Sequence, residues 1–144
     1  MQLADLDEVM AVEQTVYSHP WSRGNFVDVV NNDYEAWVVR SGQGELLAYV
    51  VQMQVLDECH LLTIAVKNSA QRQGLGRYLL AMVTERAKRM QLKSVILEVR
   101  VSNQIARKVY ESSGFKLLGR RKNYYQLNQT QREDALLLGY EIPE

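Results

Sequence analysis

Cysteine is almost missing from this chain: Cys59 is the single one among 144 residues. One thiol cannot close an internal disulfide, and a fold that needs none suits a reducing, cytoplasmic setting. Net charge is missing too. Lys and Arg number 17 and so do Asp and Glu, which removes any global attraction to nucleic acid or to an anionic membrane. No apolar run reaches the length of a membrane-spanning helix, and residues 1–8 lack the basic start and apolar stretch of a secretory signal. Histidine occurs only at His19 and His60, and neither sits in a metal-ligand spacing. Proline occurs twice, and no linker, repeat or low-complexity stretch interrupts the chain. With 47% apolar residues, a chain of this size can bury a core without disulfides or metals, so residues 1–144 are expected to form a single domain.

Periodicity gives the order of elements. Asp5, followed three residues later by Glu8, reads as a capping box opening a first helix. Leu6, Val9, Met10, Glu13 and Tyr17 then recur at helical spacing, all but Glu13 apolar or aromatic. Ser22 caps a short second helix burying Phe26, Val29 and Val30. Glu35–Arg40, Leu46–Val55 and residues 59–66 read as three strands with short connections, an antiparallel meander. Leu75, Leu79, Met82, Val83, Ala87 and Met90 form the stripe of a long helix ending near Gln91. A short strand over 94–99, a helix over 103–113 closed by Gly114, a strand starting at 115, a polar loop over 126–132 and a last strand over 135–142 complete the chain. Helices and strands alternating after a meander imply an α/β fold: a mixed, mostly antiparallel sheet with helices on both faces.

Between the third strand and the long helix lies Gln71-Arg72-Gln73-Gly74-Leu75-Gly76-Arg77. A glycine turn entering a helix presents unpaired backbone N–H groups at the positive end of the helix dipole, a site suited to phosphate or diphosphate. Gly74 and Gly76 allow close backbone approach, and Arg72 and Arg77 add charge. Gly76 is followed by arginine where the Walker motif needs Lys-Ser/Thr. The loop also lacks the three glycines and first-strand position of a dinucleotide fingerprint. Its alternative is an ordinary left-handed turn with two solvated arginines.

The second group of chemical residues lies further on. Glu98 stands in Val95-Ile96-Leu97-Glu98-Val99, where desolvation of an embedded carboxylate would suit a general base. Equally, it reads as a strand glutamate alternating outward or paired with Arg100. Tyr110 follows on a helix with Ile105, Ala106 and Val109 as its apolar positions. It reads as a core aromatic or as a proton donor. Asn103 reads as the N-cap of that helix.

Together the glycine loop and Asn103-Gln104-Ile105-Ala106-Arg107-Lys108-Val109-Tyr110-Glu111-Ser112-Ser113-Gly114-Phe115 resemble two motifs of the GNAT superfamily of acetyl-CoA-dependent N-acetyltransferases: Q/R-x-x-G-x-G/A and N-x-x-A-x-x-x-Y-x-x-x-G-F. The family begins with a strand before the first helix. Here only residues 1–4 precede Asp5, which implies a short or missing first strand. Further segments extend the resemblance over nearly the whole chain: His19-Pro20-Trp21-Ser22, residues 97–103, residues 121–125 and Arg132-Glu133-Asp134-Ala135. Their resemblance is to the branch that acetylates the N-terminal alanine of a small-subunit bacterial ribosomal protein.

The resemblance implies acetyl-CoA as co-substrate, direct attack by the acceptor amine, and no metal. It implies Glu98 as general base, Tyr110 as general acid and Asn103 as a cofactor contact. Ile64, Ala65 and Val66 would pair with pantetheine, while Arg72, Gln73, Gly74, Leu75, Gly76 and Arg77 hold the diphosphate. Tyr124, Tyr125, Glu133 and Asp134 would line a groove for a basic peptide N-terminus, or else form a hairpin packed through its aromatics. The partner implied is that peptide, with no direct nucleic acid, no membrane and a monomeric enzyme. Cys59, with only His60 beside it, is not expected to be a nucleophile. Two other readings stay open on sequence: a small-molecule amine acetyltransferase on the same fold, and a non-catalytic acyl-CoA-binding module.

Overall fold

The computed structural model describes residues 1–32 and 34–144. Its helices are α1 (Leu6–Val16), α2 (Arg23–Asn31), α3 (Leu75–Arg89) and α4 (Gln104–Ser112). Its strands are β1 (Glu35–Arg40), β2 (Leu46–Val55), β3 (Glu58–Val66), β4 (Ser94–Arg100), β5 (Lys116–Gln126) and β6 (Arg132–Glu141). The strands form one six-stranded sheet in the order β1-β2-β3-β4-β6-β5. β3 and β4 run parallel, whereas β1–β2, β4–β6 and β5–β6 are antiparallel. The sheet is therefore mixed and mostly antiparallel, as expected. No described helix is long and apolar enough to cross a membrane. The backbone divides into two compact units: Met1–Gln54 with Leu62–Leu79, and Val55–Leu61 with Leu80–Glu144.

In the first unit no strand precedes α1 among the described residues. Leu3–Asp5 forms a 3-10 turn, and the Met1 ammonium donates to the Ala36 carbonyl at 2.9 Å. Asp5 does not cap α1 as expected. It sits in helical conformation and makes no cap bond. Its carboxylate instead accepts from Gln2 N–H at 2.7 Å and pairs with Arg40 at 2.6 Å. The Glu8 carboxylate likewise meets Arg40, at 3.0 Å, and accepts from the Leu46 N–H at 3.2 Å. A guanidinium and an amide from the strands claim both acids, so the tertiary partners outcompete the local cap. Ser22 caps α2 as expected, accepting from Asn25 N–H at 3.2 Å.

The core of this unit gathers Leu6, Val9, Val12, Phe26, Val29, Leu46, Tyr49, Val51 and Ala65. Glu13, on the same face of α1, is buried among them. It accepts from the Tyr49 hydroxyl at 2.5 Å and from the Trp21 N–H at 2.9 Å. Burial holds the Glu13 carboxyl above its usual range despite these donors, and burial followed by the Glu13 charge pushes the Tyr17 phenol up to about 12. Because the folded chain binds the Glu13 proton more tightly than the unfolded chain, this group's contribution to stability falls as pH rises above the ordinary carboxylate range. Tyr49→Phe removes one donor from the buried acid. It is expected to cost about 1–3 kcal/mol in urea unfolding, with a larger loss at pH 7 than at pH 4. An equal loss at both values would sink this reading.

In the second unit β4 alternates strictly. Val95, Leu97 and Val99 are buried, while Ser94, Ile96, Glu98 and Arg100 are half-exposed. On α3 the buried residues are Leu79, Leu80, Val83 and Ala87. Met82 and Met90, expected in the stripe, are exposed because the contact face turns toward Leu80 instead. α4 departs further. Ile105, expected on the apolar side, is 81% exposed, and Tyr110 is the helix's buried residue. Gly114 closes α4 at φ +96°, and the Phe115 N–H returns to the Tyr110 carbonyl at 3.1 Å, a Schellman closure. A Cβ on Gly114 would also come within 3.1 Å of the Tyr140 ring.

Candidate active site

In the first unit the loop expected to bind a diphosphate has two left-handed residues, Arg72 at φ +64° and Gly74 at φ +81°. Gly74 needs glycine for this φ alone, since a Cβ there would meet nothing within 4 Å. Gly76 carries no such constraint, and an added Cβ would make only an ordinary contact with Val66 Cγ2 at 3.8 Å. A turn with left-handed residues on either side of Gln73 is of the kind in which successive N–H groups can converge on an anion. The Tyr78 N–H donates to the Gly74 carbonyl at 2.9 Å. The N–H groups of Leu75, Gly76 and Arg77 thus precede the first bond of α3's ladder. Arg72 and Arg77 are exposed, and neither has a hydrogen-bond or ion-pair partner among the described residues. Unclaimed donors, a helix dipole and two unpaired guanidinium groups fit a diphosphate chemically.

The end of β3 is tied to this loop. The Gln71 side chain donates to the Val66 carbonyl at 3.0 Å, and the Tyr17 hydroxyl donates to the Ile64 carbonyl. Ala65 is buried between them in the chain. The carbonyls of Ile64 and Val66 are therefore already engaged by side chains.

The second unit brings Glu98, Tyr124, Tyr125 and Glu133 to one region. The register explains why. Glu98 lies opposite Leu137, Arg100 opposite Ala135, Ala135 opposite Arg121, and Glu133 opposite Tyr125. Cross-strand partners share a face and alternate residues return to it, so Glu98, Arg100, Arg121, Tyr125 and Glu133 face the same side of β4–β6–β5. Asp134 does not join them. One residue out of step, it pairs with Arg120 at 2.5 Å and accepts from the Asn123 N–H at 2.9 Å. Asn123 is left-handed at φ +52°, inside the irregular stretch of β5 between Arg121 and Tyr125. Asp134 thus holds the shape of the bulge, and period-two alternation separates it from the groove role expected for it.

Glu98 is less embedded than its apolar neighbours suggested, with 25% of its side chain exposed. Its partner is Arg121 at 3.3 Å, while Arg100 pairs with Glu133 at 3.1 Å. The Glu133 carboxylate also accepts from the Ser102 hydroxyl at 3.1 Å. The Arg100 guanidinium lies 4.4 Å from the Tyr125 ring centre, and the Arg121 guanidinium 5.3 Å from that of Tyr124. The two tyrosines meet edge to face at 5.0 Å. Burial, then the Glu98 charge, pushes the Tyr125 phenol up to about 12, so Tyr125 is a neutral hydroxyl beside a carboxylate near neutral pH.

Tyr110 packs on Phe115 at 6.0 Å, which in turn packs on Tyr140 at 5.7 Å. Asn103 caps α4, accepting from the Ala106 N–H at 3.3 Å, so its expected capping role is present whatever else it contacts. Cys59 is buried, His60 Nε2 lies 3.8 Å from Glu58, and no group of three or more His, Cys, Asp or Glu able to hold a metal occurs among the described residues. Sequence reasoning missed roles for Arg121, Arg100 and Ser102. Alternation alone puts Arg121 and Tyr125 on one face, but which residues of β4 and β6 share that face depends on a register the sequence does not show.

The acetyltransferase (GNAT) family model matches residues 6–115. The chain belongs to the GNAT family of acetyltransferases. GNAT relatives match it from end to end. It is 34% identical to the ribosomal protein bS18-alanine N-acetyltransferase of Escherichia coli K12 over 99% of this chain and 95% of that protein. It is also 34% identical to the putative enzyme of the same name in Bacillus subtilis, over 100% and 94%. The crystal structure of the Escherichia coli ribosomal-protein-S18-alanine N-acetyltransferase superposes with a TM-score of 0.89, covering 100% of this chain and 92% of that one. A structure at 21% identity, Arabidopsis thaliana NAA60 in complex with acetyl-CoA, shares the fold with a TM-score of 0.86 over 99% of this chain and 96% of that one. This chain is thus an N-acetyltransferase that draws on acetyl-CoA.

Proposed function

We propose that this chain acetylates the N-terminal α-amine of an alanine-led peptide from ribosomal protein bS18, its two units working as one catalytic domain. The observation that carries the reading is 34% identity, over essentially the full length of both chains, to relatives bearing that name. The carboxylate and tyrosines of β4–β6–β5 support it, because an amine acceptor needs a proton acceptor and a face that tolerates a cation.

In this reading the N–H groups of Gly74, Leu75, Gly76 and Arg77, with the guanidinium groups of Arg72 and Arg77, hold the diphosphate of the co-substrate. Gln73 sets the spacing of the turn. The backbone N–H groups of Ile64, Ala65 and Val66 and the side chain of Asn103 hold its pantetheine arm. Acetyl-CoA supplies an acetyl group activated as a thioester. Glu98 takes the proton from the acceptor amine. An α-amine has a pKa of about 7.7–8.0, so a carboxylate needs no unusual basicity to help near neutrality. Tyr110 gives its hydroxyl proton to the departing sulfur. Tyr124, Tyr125 and Glu133 line the acceptor's path, and Asp134 serves it only through the shape of the hairpin.

The test is direct. A peptide beginning with alanine and continuing with basic residues is incubated with the enzyme and acetyl-CoA and followed by mass spectrometry. The expected product carries one acetyl group on the α-amine. No acetyl transfer at saturating enzyme and co-substrate would sink the acceptor assignment.

A further inference from the structure

The second unit builds the same chemical grouping twice, once locked and once loose. In the locked copy Arg100 pairs with Glu133 at 3.1 Å and also donates to the Gln126 carbonyl at 3.2 Å. Ser102 holds Glu133 from another side, and the Arg100 and Glu133 side chains are only 21% and 8% exposed. That cation, stacked on Tyr125, is part of the scaffold. In the loose copy Arg121 pairs with Glu98 and lies over Tyr124, but it makes no other hydrogen bond among the described residues. Its side chain is 57% exposed and stands on β5, the last strand of the sheet. An exposed pair on a long side chain gains little over solvent and is easily exchanged.

A carboxylate beside a tyrosine face is also what an ammonium group needs. We propose that Arg121 occupies, on Glu98 and over the Tyr124 ring, the place that the acceptor's α-ammonium takes, so that the acceptor must displace this guanidinium to reach the base. Arg121 is then a positioning residue. It keeps the carboxylate oriented while the site is empty, and it yields to a ligand carrying the same charge on a smaller group. A neutral or anionic chain end cannot make that exchange, which favours a free, charged N-terminus over a blocked one. The inference rests on the reading of Glu98 as the group that meets the acceptor amine.

The test is binding of an alanine-led basic peptide, labelled at its C-terminal end, followed by fluorescence anisotropy in saturating coenzyme A. Four proteins are compared: wild type, R121Q, E98Q and the double variant. R121K serves as the conservative control. R121Q is expected to bind about 2- to 5-fold more tightly than wild type, the range set by losing competition from one exposed ion pair. R121K should bind like wild type, and in the E98Q background R121Q should change nothing. Unchanged or weaker binding by R121Q overturns the proposal, as does undetectable binding to R121Q or tightening that persists without Glu98. A merely structural Arg121 would weaken binding. If wild type binds the peptide but never acetylates it, the acceptor assignment fails while the binding comparison still decides the exchange.

Discussion

Glu98→Gln is expected to lower kcat by about 10²- to 10⁴-fold, the span attributed to a positioned general base. Glutamine keeps the size of the side chain and can still face Arg121, which is exposed and loses only a weak pair, so the fold should be unaffected. The diagnostic readout is the pH dependence of the residual rate. With no protein base, proton removal passes to solvent, and the rate should climb with the unprotonated fraction of the amine, reaching half its limit near pH 8 and levelling only toward pH 9. Steady-state kinetics on the peptide from pH 6 to 9 measure this. A profile that keeps the wild-type shape would remove Glu98 from the base role, whatever the drop in rate.

Tyr110→Phe is expected to cost about 10²-fold or more in kcat while acetyl-CoA binding, measured by calorimetry, stays within about twofold. The structure makes this variant a clean probe. The ring is buried and packed against Phe115, which packs on Tyr140, and phenylalanine preserves those contacts. What is lost is one hydroxyl, so a selective loss of turnover assigns it to proton donation to the sulfur. Equal losses in turnover and co-substrate affinity would demote Tyr110 to packing.

Features carried by consecutive residues were legible in the sequence. The glycine loop, the Ser22 and Asn103 caps and the Gly114 closure each depend on a few neighbours whose chemistry acts within one turn. Strands β1 and β2 were readable to the residue because alternation or apolar runs ended at turn residues. Features that depend on partners distant in the chain were not. Asp5 and Glu8 looked like a capping box until Arg40 claimed both carboxylates. Glu13 sat on the apolar stripe of α1 with nothing nearby in sequence to explain it. Its partners, Tyr49 and Trp21, come from β2 and from the stretch before α2.

The β4–β6–β5 face shows the same division. Residue types alone placed Glu98 on a strand and Tyr124 and Tyr125 near the end of the chain. Arg121 and Tyr125 stay in step across the bulge at left-handed Asn123, which offsets β5 by two residues against β6, but nothing in the sequence shows which residues of β4 lie on their face. Only the pairing with β6 puts Arg121 beside Glu98 and sends Asp134 to the opposite face.

By itself, the order of residues determined the α/β class, the glycine turn before α3 and the family motifs in that turn and in α4, because short-range geometry and spacing specify all of these. Tertiary structure alone decided which carboxylate meets which guanidinium and which acids share a face. Those outcomes turn on strand register, where a single-residue offset reverses the side a group faces, and no local pattern records that offset.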